Sequence, residues 1–275
     1  MIPLEDNYDD VINKAKRGLR LTDERLAQSA GIALEELSRV KAGQFDERVV
    51  GKLAPVLGLG EDALVVLGLK SWHPIARELV GLAPFNTRFE DMTVNAYLVW
   101  DPKTKLAVVF DTGADCSGII RFAQNNHLTA SHIFLTHTHY DHVADLSRLK
   151  RATKAKAFVS ELEPIDGTET FAAGKTFGVG NLQIEARQTS GHSRGGTTYV
   201  VRGLERPVAV VGDALFAGSM GRGMVSYEEA LRTNREQIFT LPDDTIICPG
   251  HGPLTTVGEE KQHNPFFPEF QHAAR

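Results

Sequence analysis

The residues best suited to chemistry in this sequence are three histidines and an aspartate within six positions, in the stretch HTHYDH at residues 137–142. A short apolar run at residues 133–135 leads directly into them and predicts a buried strand. On extended backbone the spacing of His137 and His139 places both imidazoles on one side, where they can converge on one ion. Asp141 and His142 follow at the turn into a predicted helix and form a second pair. The stretch therefore predicts two adjacent metals.

Three further ligand candidates stand in equivalent places, each just beyond a predicted strand and among glycines. They are His192 in QTSGHSRGG, Asp213 in VGDALF and His251 in CPGHGP. Glycine turns at strand ends let several backbone segments crowd one site without a steric cost. Together with HTHYDH, these segments predict one composite metal centre.

Bulk composition excludes several classes of protein. The chain has 275 residues and a formal net charge of −5, so it has no whole-molecule field that would attract nucleic acid or an anionic membrane. Cys116 and Cys248 lie far apart and form no disulfide framework. No apolar run approaches the roughly 18 residues of a membrane span, and the start lacks a basic, apolar leader. We expect a cytoplasmic protein.

Strands and helices alternate irregularly after residue 90. Predicted strands lie at residues 94–100, 106–110, 133–135, 157–160, 182–187, 197–201, 208–211 and 245–248, and predicted helices at 118–126, 143–150 and 227–239. Mixed hairpins and helical crossovers indicate a layered α/β domain, which we place at residues 75–275. Residues 71–90 are predicted to be a linker with one or two helical turns.

Residues 1–74 form a predicted all-α domain with its linker, because apolar residues recur there at helical spacing between glycines. Thr22 is a candidate N-cap, and Gly31 suits the end of the same helix. Residues 21–70 resemble the helix-turn-helix domain of Cro- and repressor-like proteins. Residues 1–70 hold 10 Lys plus Arg and 12 Asp plus Glu, and Glu35 and Glu36 open the presumed recognition helix. Because DNA binding needs a basic surface, we expect dimerisation or packing on the main domain, with DNA binding as the alternative.

The stretches HTHYDH, SGHS, VGDALF and PGHG together resemble the metallo-β-lactamase superfamily over about residues 80–270. The resemblance implies an αββα sandwich behind the helical segment. It also implies a first metal site of His137, His139 and His192, and a second of Asp141, His142 and His251, with Asp213 bridging the two. Imidazole and carboxylate ligands suit two divalent ions, zinc by preference, with iron or manganese as alternatives.

Two such cations, about 3.5–4 Å apart, can share a water and lower its pKa toward roughly 7, so that hydroxide is available at neutral pH. They also polarise a substrate carbonyl. The expected reaction is therefore hydrolysis of an acyl bond without a protein nucleophile. Asp141 is predicted to orient the hydroxide and to take its proton.

Within the superfamily, the stretches NAYLV, GDALFAGSMGR and GEEKQHNPF are most similar to the glyoxalase II branch. This resemblance implies hydrolysis of hydroxyacylglutathione thioesters, with Arg222 and Lys261 as candidates to hold a substrate carboxylate. The chain stops at Arg275, without the basic C-terminal helical domain of the long forms, so glutathione specificity does not follow.

Two alternatives remain open. One is a persulfide dioxygenase, a class that also resembles this branch and uses one iron; its ligands here would be His137, His192 and Asp213. The segment CPGHGPLTT is more similar to the hydrolases. The other is a metal-linked, DNA-binding regulator built on the helix-turn-helix-like segment.

Overall fold

Short helices make up the first part of the protein, whose computed structural model describes residues 2–75 and 78–274. Thr22 accepts a hydrogen bond from the amide of Arg25 at the start of the second helix, and Gly31 closes that helix with a φ of 59°, as predicted. The helices are α1 (Tyr8–Gly18), α2 (Asp23–Ala30), α3 (Leu34–Lys41), α4 (Glu47–Leu57) and α5 (Glu61–Gly68).

A first sheet follows, with its strands in chain order. The strands are β1 (Leu82–Phe89), β2 (Met92–Trp100), β3 (Leu106–Phe110), β4 (Thr129–Phe134), β5 (Lys156–Ser160) and β6 (Glu169–Phe171). The helices between them are α6 (Ser117–Asn125), α7 (Tyr140–Val143) and α8 (Leu146–Thr153). Pairing is antiparallel from β1 to β3 and parallel from β3 to β6. The carboxyl ends of β3, β4 and β5 therefore lie at one edge of the sheet.

The second sheet has the strand order β12-β11-β10-β9-β8-β7. Its strands are β7 (Thr176–Val179), β8 (Leu182–Gln188), β9 (Thr197–Arg202), β10 (Val208–Gly212), β11 (Ile246–Pro249) and β12 (Thr255–Thr256). The remaining helices are α9 (Tyr227–Gln237), α10 (Val257–His263) and a 3₁₀ helix (Pro268–Ala274). The strands β10 and β11 are parallel, so they end side by side.

Apolar side chains are buried in three layers, which confirm the predicted αββα sandwich. Aromatic residues such as Phe134 and Tyr199 fill the space between the two sheets. Ile119 and Leu149 cover the outer face of the first sheet from α6 and α8. The outer face of the second sheet is covered by α9, α10 and the N-terminal helices. Within residues 2–75 and 78–274, no helix is long and apolar enough to cross a bilayer.

The N-terminal helices share one buried apolar cluster with the second sheet. Ile12, Leu53 and Leu64 belong to the same cluster as Val211 of the sheet region and Phe267 near the carboxyl end. The segment before residue 74 therefore does not enclose a separate core. Packing on the main domain, one of the two roles expected for these helices, is observed; dimerisation through them stays a prediction.

The predicted linker at residues 71–90 is wrong from residue 82 onward, because residues 82–89 form β1. This strand lies at the edge of its sheet and pairs with β2 through a tight hairpin. Pro84 lacks an amide donor and is tolerated on such an edge strand, so its presence did not indicate a break. Residues 76 and 77 of the predicted linker lie outside the described part of the chain.

Candidate metal centre

The seven predicted ligands all stand beyond the ends of strands that finish at one edge of the sandwich. His137, His139, Asp141 and His142 follow β4, and His192 follows β8. Asp213 and His251 follow the parallel neighbours β10 and β11. Gly250 lies so close to Asp213 and His142 that a Cβ there would overlap both side chains. The glycine beside His251 is therefore needed for this close approach, as the sequence predicted.

The first group of ligands consists of His137, His139, His192 and Asp213. The Nδ1 atom of His139 lies 3.0 Å from the Nε2 atoms of both His137 and His192. The Nε2 atom of His192 is 3.4 Å from Oδ2 of Asp213. Three ring nitrogens and one carboxylate oxygen thus converge, which is a nitrogen- and oxygen-rich donor set suited to a divalent transition metal.

The second group consists of Asp141, His142 and His251. The Nε2 atom of His251 is 3.3 Å from Oδ2 of Asp141 and 3.5 Å from Oδ2 of Asp213. The other oxygen of Asp213, Oδ1, lies 3.3 Å from Nε2 of His142. Asp213 therefore faces both groups, which is the geometry that a bridging carboxylate requires.

Two buried atoms of the centre support a metal rather than a closed hydrogen-bond network. In the described part of the chain, Nε2 of His142 and Oδ1 of Asp213 have no hydrogen-bond partner. Buried polar atoms without partners are uncommon, and a shared cation would satisfy both of these. The residues present therefore fit a two-metal centre.

Electrostatics in the centre favour bound positive charge. Burial opposes ionisation of Asp213, but the imidazoles of His251 and His142 outweigh it and hold the pKa of this carboxyl well below its usual range. Burial, with the neighbouring His142, holds the pKa of His137 far below its ordinary value. Burial also lowers the pKa of His192. His137 and His192 are therefore held in the neutral state that ligates a metal. At His142 and His251, by contrast, burial is outweighed by the neighbouring carboxylates, which raise the pKa of both imidazoles, so that a bound metal would replace their protons.

Asp111 supports ligands of both groups and was not predicted to do so. Its Oδ2 atom accepts from Nδ1 of His142 at 2.8 Å and from the hydroxyl of Thr136 at 2.7 Å. That hydroxyl is in turn 3.1 Å from Nδ1 of His137 and can accept from it. Hydrogen bonds of this kind fix the tautomer and direct Nε2 of each ring toward the metal. The signal available in the sequence was an acidic residue directly after the apolar strand β3.

Backbone carbonyls orient the other two histidines whose Nε2 faces the centre. Nδ1 of His192 donates to the carbonyl of Arg222 at 2.9 Å, and Nδ1 of His251 donates to the carbonyl of Thr93 at 2.6 Å. A carbonyl contact carries no sequence signature, so these partners could not be predicted. The carbonyl contact at Arg222 ties a metal ligand to the loop after β10.

A cavity of about 670 Å³ opens onto the centre. Its lining includes His139, Asp141, His192, Asp213 and His251. Arg222, a predicted substrate contact, lines it as well and is exposed. The metal ligands therefore border a space large enough for a substrate.

Lys261, the other predicted substrate contact, is not brought to the cavity. Its ammonium pairs with the exposed Asp243 at 2.7 Å. The helix that carries Lys261 turns a different residue inward, because the buried Glu260 accepts from the amide of Gly218 and from Asn264. The position of Lys261 does not support a substrate contact.

The comparisons with known proteins agree with this geometry. The family model described as Metallo-beta-lactamase superfamily matches residues 90–251. The chain therefore belongs to the metallo-β-lactamase superfamily, whose known members include metallo-hydrolases. The N-terminal helices lie outside the matched residues.

Particular relatives are similar at modest identity. A probable metallo-hydrolase of Streptococcus pyogenes is 31% identical over 199 residues, which are 62% of this chain and 84% of that protein. The hydroxyacylglutathione hydrolase GloC of Haemophilus influenzae is 29% identical over 197 residues, 62% of this chain and 92% of that protein. Among solved structures, the BLEG-1 B3 metallo-beta-lactamase has a TM-score of 0.59 at 28% identity, with 67% of this chain and 99% of that chain covered.

Proposed function

We propose that the protein is a two-metal hydrolase of thioesters such as hydroxyacylglutathione. The observation that carries this proposal is the pair of ligand groups joined by Asp213 at the edge of an open cavity. Support for the thioester comes from the similarity to the hydroxyacylglutathione hydrolase of Haemophilus influenzae. Zinc is the metal we propose, with iron and manganese as alternatives that suit the same ligands.

The two cations would supply a Lewis acid for the acyl carbonyl and hydroxide at neutral pH. The residues of the chain would hold them, with His137, His139 and His192 on one side and Asp141, His142 and His251 on the other. Asp141 also lines the cavity, so its carboxylate faces the space in which water and substrate meet. We assign to Asp141 the orientation of that water and acceptance of its proton.

Substrate orientation would depend on Arg222. Its guanidinium is exposed at the cavity, while its carbonyl accepts from His192. The loop that holds it is fixed, because Asn264 donates to the carbonyl of Ser219 at 2.8 Å. A guanidinium placed in this way can hold a substrate carboxylate in a defined direction from the metals.

The dioxygenase alternative would use one iron on His137, His192 and Asp213. The structure builds a second buried ligand group beside that set, and His139 lies at hydrogen-bond distance from both of the histidines. A one-iron centre would leave the second group, Asp141, His142 and His251, without a cation. We therefore prefer a two-metal hydrolase, and the metal content of the purified protein distinguishes it from the single-iron alternative.

Purified protein is expected to contain two divalent ions per chain and to hydrolyse lactoylglutathione. A strong chelator should abolish the reaction, and added zinc or manganese should restore it, because no protein nucleophile replaces the cations. Metal analysis, thiol release and oxygen uptake on glutathione persulfide would be measured on one preparation. A single iron per chain together with oxygen uptake would overturn the proposal. Hydrolysis of a β-lactam without hydrolysis of a thioester would show that the substrate class is β-lactams and not thioesters.

The protein is expected not to bind duplex DNA, even at low salt. In the helix-turn-helix-like segment, Lys16 and Lys41 both pair with Asp23, and Arg48 pairs with Glu36. These ion pairs neutralise positive charge that contacts with DNA phosphates would need. Fluorescence anisotropy with labelled duplexes at low and moderate salt checks this, and a saturable, salt-sensitive signal would restore the regulator hypothesis.

A further inference from the structure

One face of helix α1 borders the cavity of the metal centre. Asp10, Asn13, Lys14 and Arg17 all line this cavity. Their spacing of three, four and seven residues from the first places them on one side of an α-helix. The neighbouring face of the same helix carries Ile12 and other apolar residues into the core. The helix therefore has one side that packs and one side that faces the site.

Helix α1 is held firmly against the loop that follows β10. Lys14 donates to the carbonyl of Met220 at 2.8 Å, and the hydroxyl of Ser219 donates to the buried Asp6 at 2.6 Å. Gly18 lies against the ring of Tyr227 so closely that a side chain would not fit there. The same loop carries Arg222, so the position of α1 and the shape of the cavity are coupled.

The charges along this face are not equivalent. Lys14 forms an ion pair with Asp6, which neutralises its charge. Asp10 accepts from the amide of Asn7 and lies about 10 Å from Arg17 along the helix, at a rise of about 1.5 Å per residue. Arg17 is exposed, and in the described part of the chain its guanidinium has no ion-pair partner. An anion would therefore bind at the Arg17 end of the face rather than at the Asp10 end.

Resting on the thioesterase function above, we propose that α1 is the substrate-binding wall of the enzyme, with Arg17 and Asn13 binding a carboxylate of the thiol carrier. Arg17 supplies a charged fork of donors and Asn13, one turn away and half-buried, supplies an amide donor. The segment outside the family match thus determines which thioesters enter. Arg222 borders the same cavity from the loop after β10, so it would contact a different part of the substrate.

The test compares two lactoyl thioesters on metal-loaded protein, one of glutathione and one of the uncharged carrier N-acetylcysteamine. Arg17→Ala should raise KM for lactoylglutathione about tenfold relative to KM for the uncharged thioester, as expected for one lost charged hydrogen bond. Arg17→Glu should increase this difference, and Arg17→Lys should restore part of it. Asn13→Ala should have a smaller effect in the same direction. Arg121→Ala, an exposed arginine on α6 that does not line the cavity, is the matched control.

Binding of S-hexylglutathione, a thioether that cannot be hydrolysed, gives a second readout by titration calorimetry. The inference requires that Arg17→Ala weaken this binding about tenfold while Arg121→Ala does not. Equal increases in KM for both thioesters, or unchanged thioether binding in Arg17→Ala, would overturn the inference. Either result would leave the proposed thioesterase function unaffected. If thioether binding depended on Arg17 but neither thioester were hydrolysed, the binding role of α1 would be supported and the proposed thioesterase activity would be refuted.

Discussion

The Asp213→Asn protein is expected to lose metal from both sites and to lose activity by about a thousandfold or more, equivalent to about 4 kcal/mol of transition-state stabilisation. Its carboxylate faces both groups, with Oδ1 3.3 Å from Nε2 of His142 and Oδ2 3.4 Å from Nε2 of His192. The amide is nearly the same size but carries no charge and turns two N–H donors toward the ligands. Neither cation would keep its shared anionic ligand.

Metal content per chain, measured together with kcat/KM, checks this expectation. Asp243→Asn is a matched control, because Asp243 is exposed and pairs only with Lys261 among the ion pairs of the described residues. The control should keep both metals. A variant at Asp213 that retained two metals and activity within about tenfold would show that each site is held without a bridging carboxylate.

The metal ligands could be predicted from the sequence because each lies within about eight residues after the end of a recognisable strand. The spacing of His137 and His139 carries geometric information by itself, and glycines mark the close approach at Gly250. The predicted strands that correspond to β2–β5 and β8–β11, and the predicted helices that correspond to α6 and α9, were confirmed to within a few residues, since periodicity is a local property; β6, β7, β12 and α10 were not predicted. The pattern of elements indicated a layered α/β domain, and the αββα order of the layers was implied by the resemblance to the superfamily.

Other features depend on contacts between distant parts of the chain, and local patterns could not indicate them. β1 was missed because Pro84 marks a break unless the strand lies at an edge, and edge position is a property of the whole sheet. Lys261 was assigned to substrate by resemblance, but the direction of its helix face is set by Glu260 packing inward. The place of α1 beside the cavity required the shared core with the second sheet.

Asp111 was not predicted to support the metal ligands, and its replacement has the second large expected effect, on metal affinity. Asp111→Asn should weaken metal binding about 10- to 100-fold, the usual cost of removing a partner that orients metal ligands. The carboxylate accepts from His142 and, through Thr136, also supports His137, so ligands of both groups should be affected. An amide nitrogen in the place of Oδ2 would face N–H and O–H donors without accepting from them. Nδ1 of His142 would then lose its acceptor, and the ring tautomer that presents Nε2 to the metal would be less favoured.

Asparagine is the informative replacement at this position because of the backbone. Asp111 has a φ of 55°, a left-handed conformation that asparagine adopts readily and alanine does not. The variant therefore isolates the hydrogen bonds from backbone strain. Asp115→Asn, on the same connection but exposed and paired with Arg148, is the control and should bind metal as the parent does. Competition with a chromophoric chelator measures the affinities. If Asp111→Asn bound both metals as tightly as Asp115→Asn, the orientation of His142 and His137 would have to come from packing alone, and the role assigned to Asp111 would be wrong.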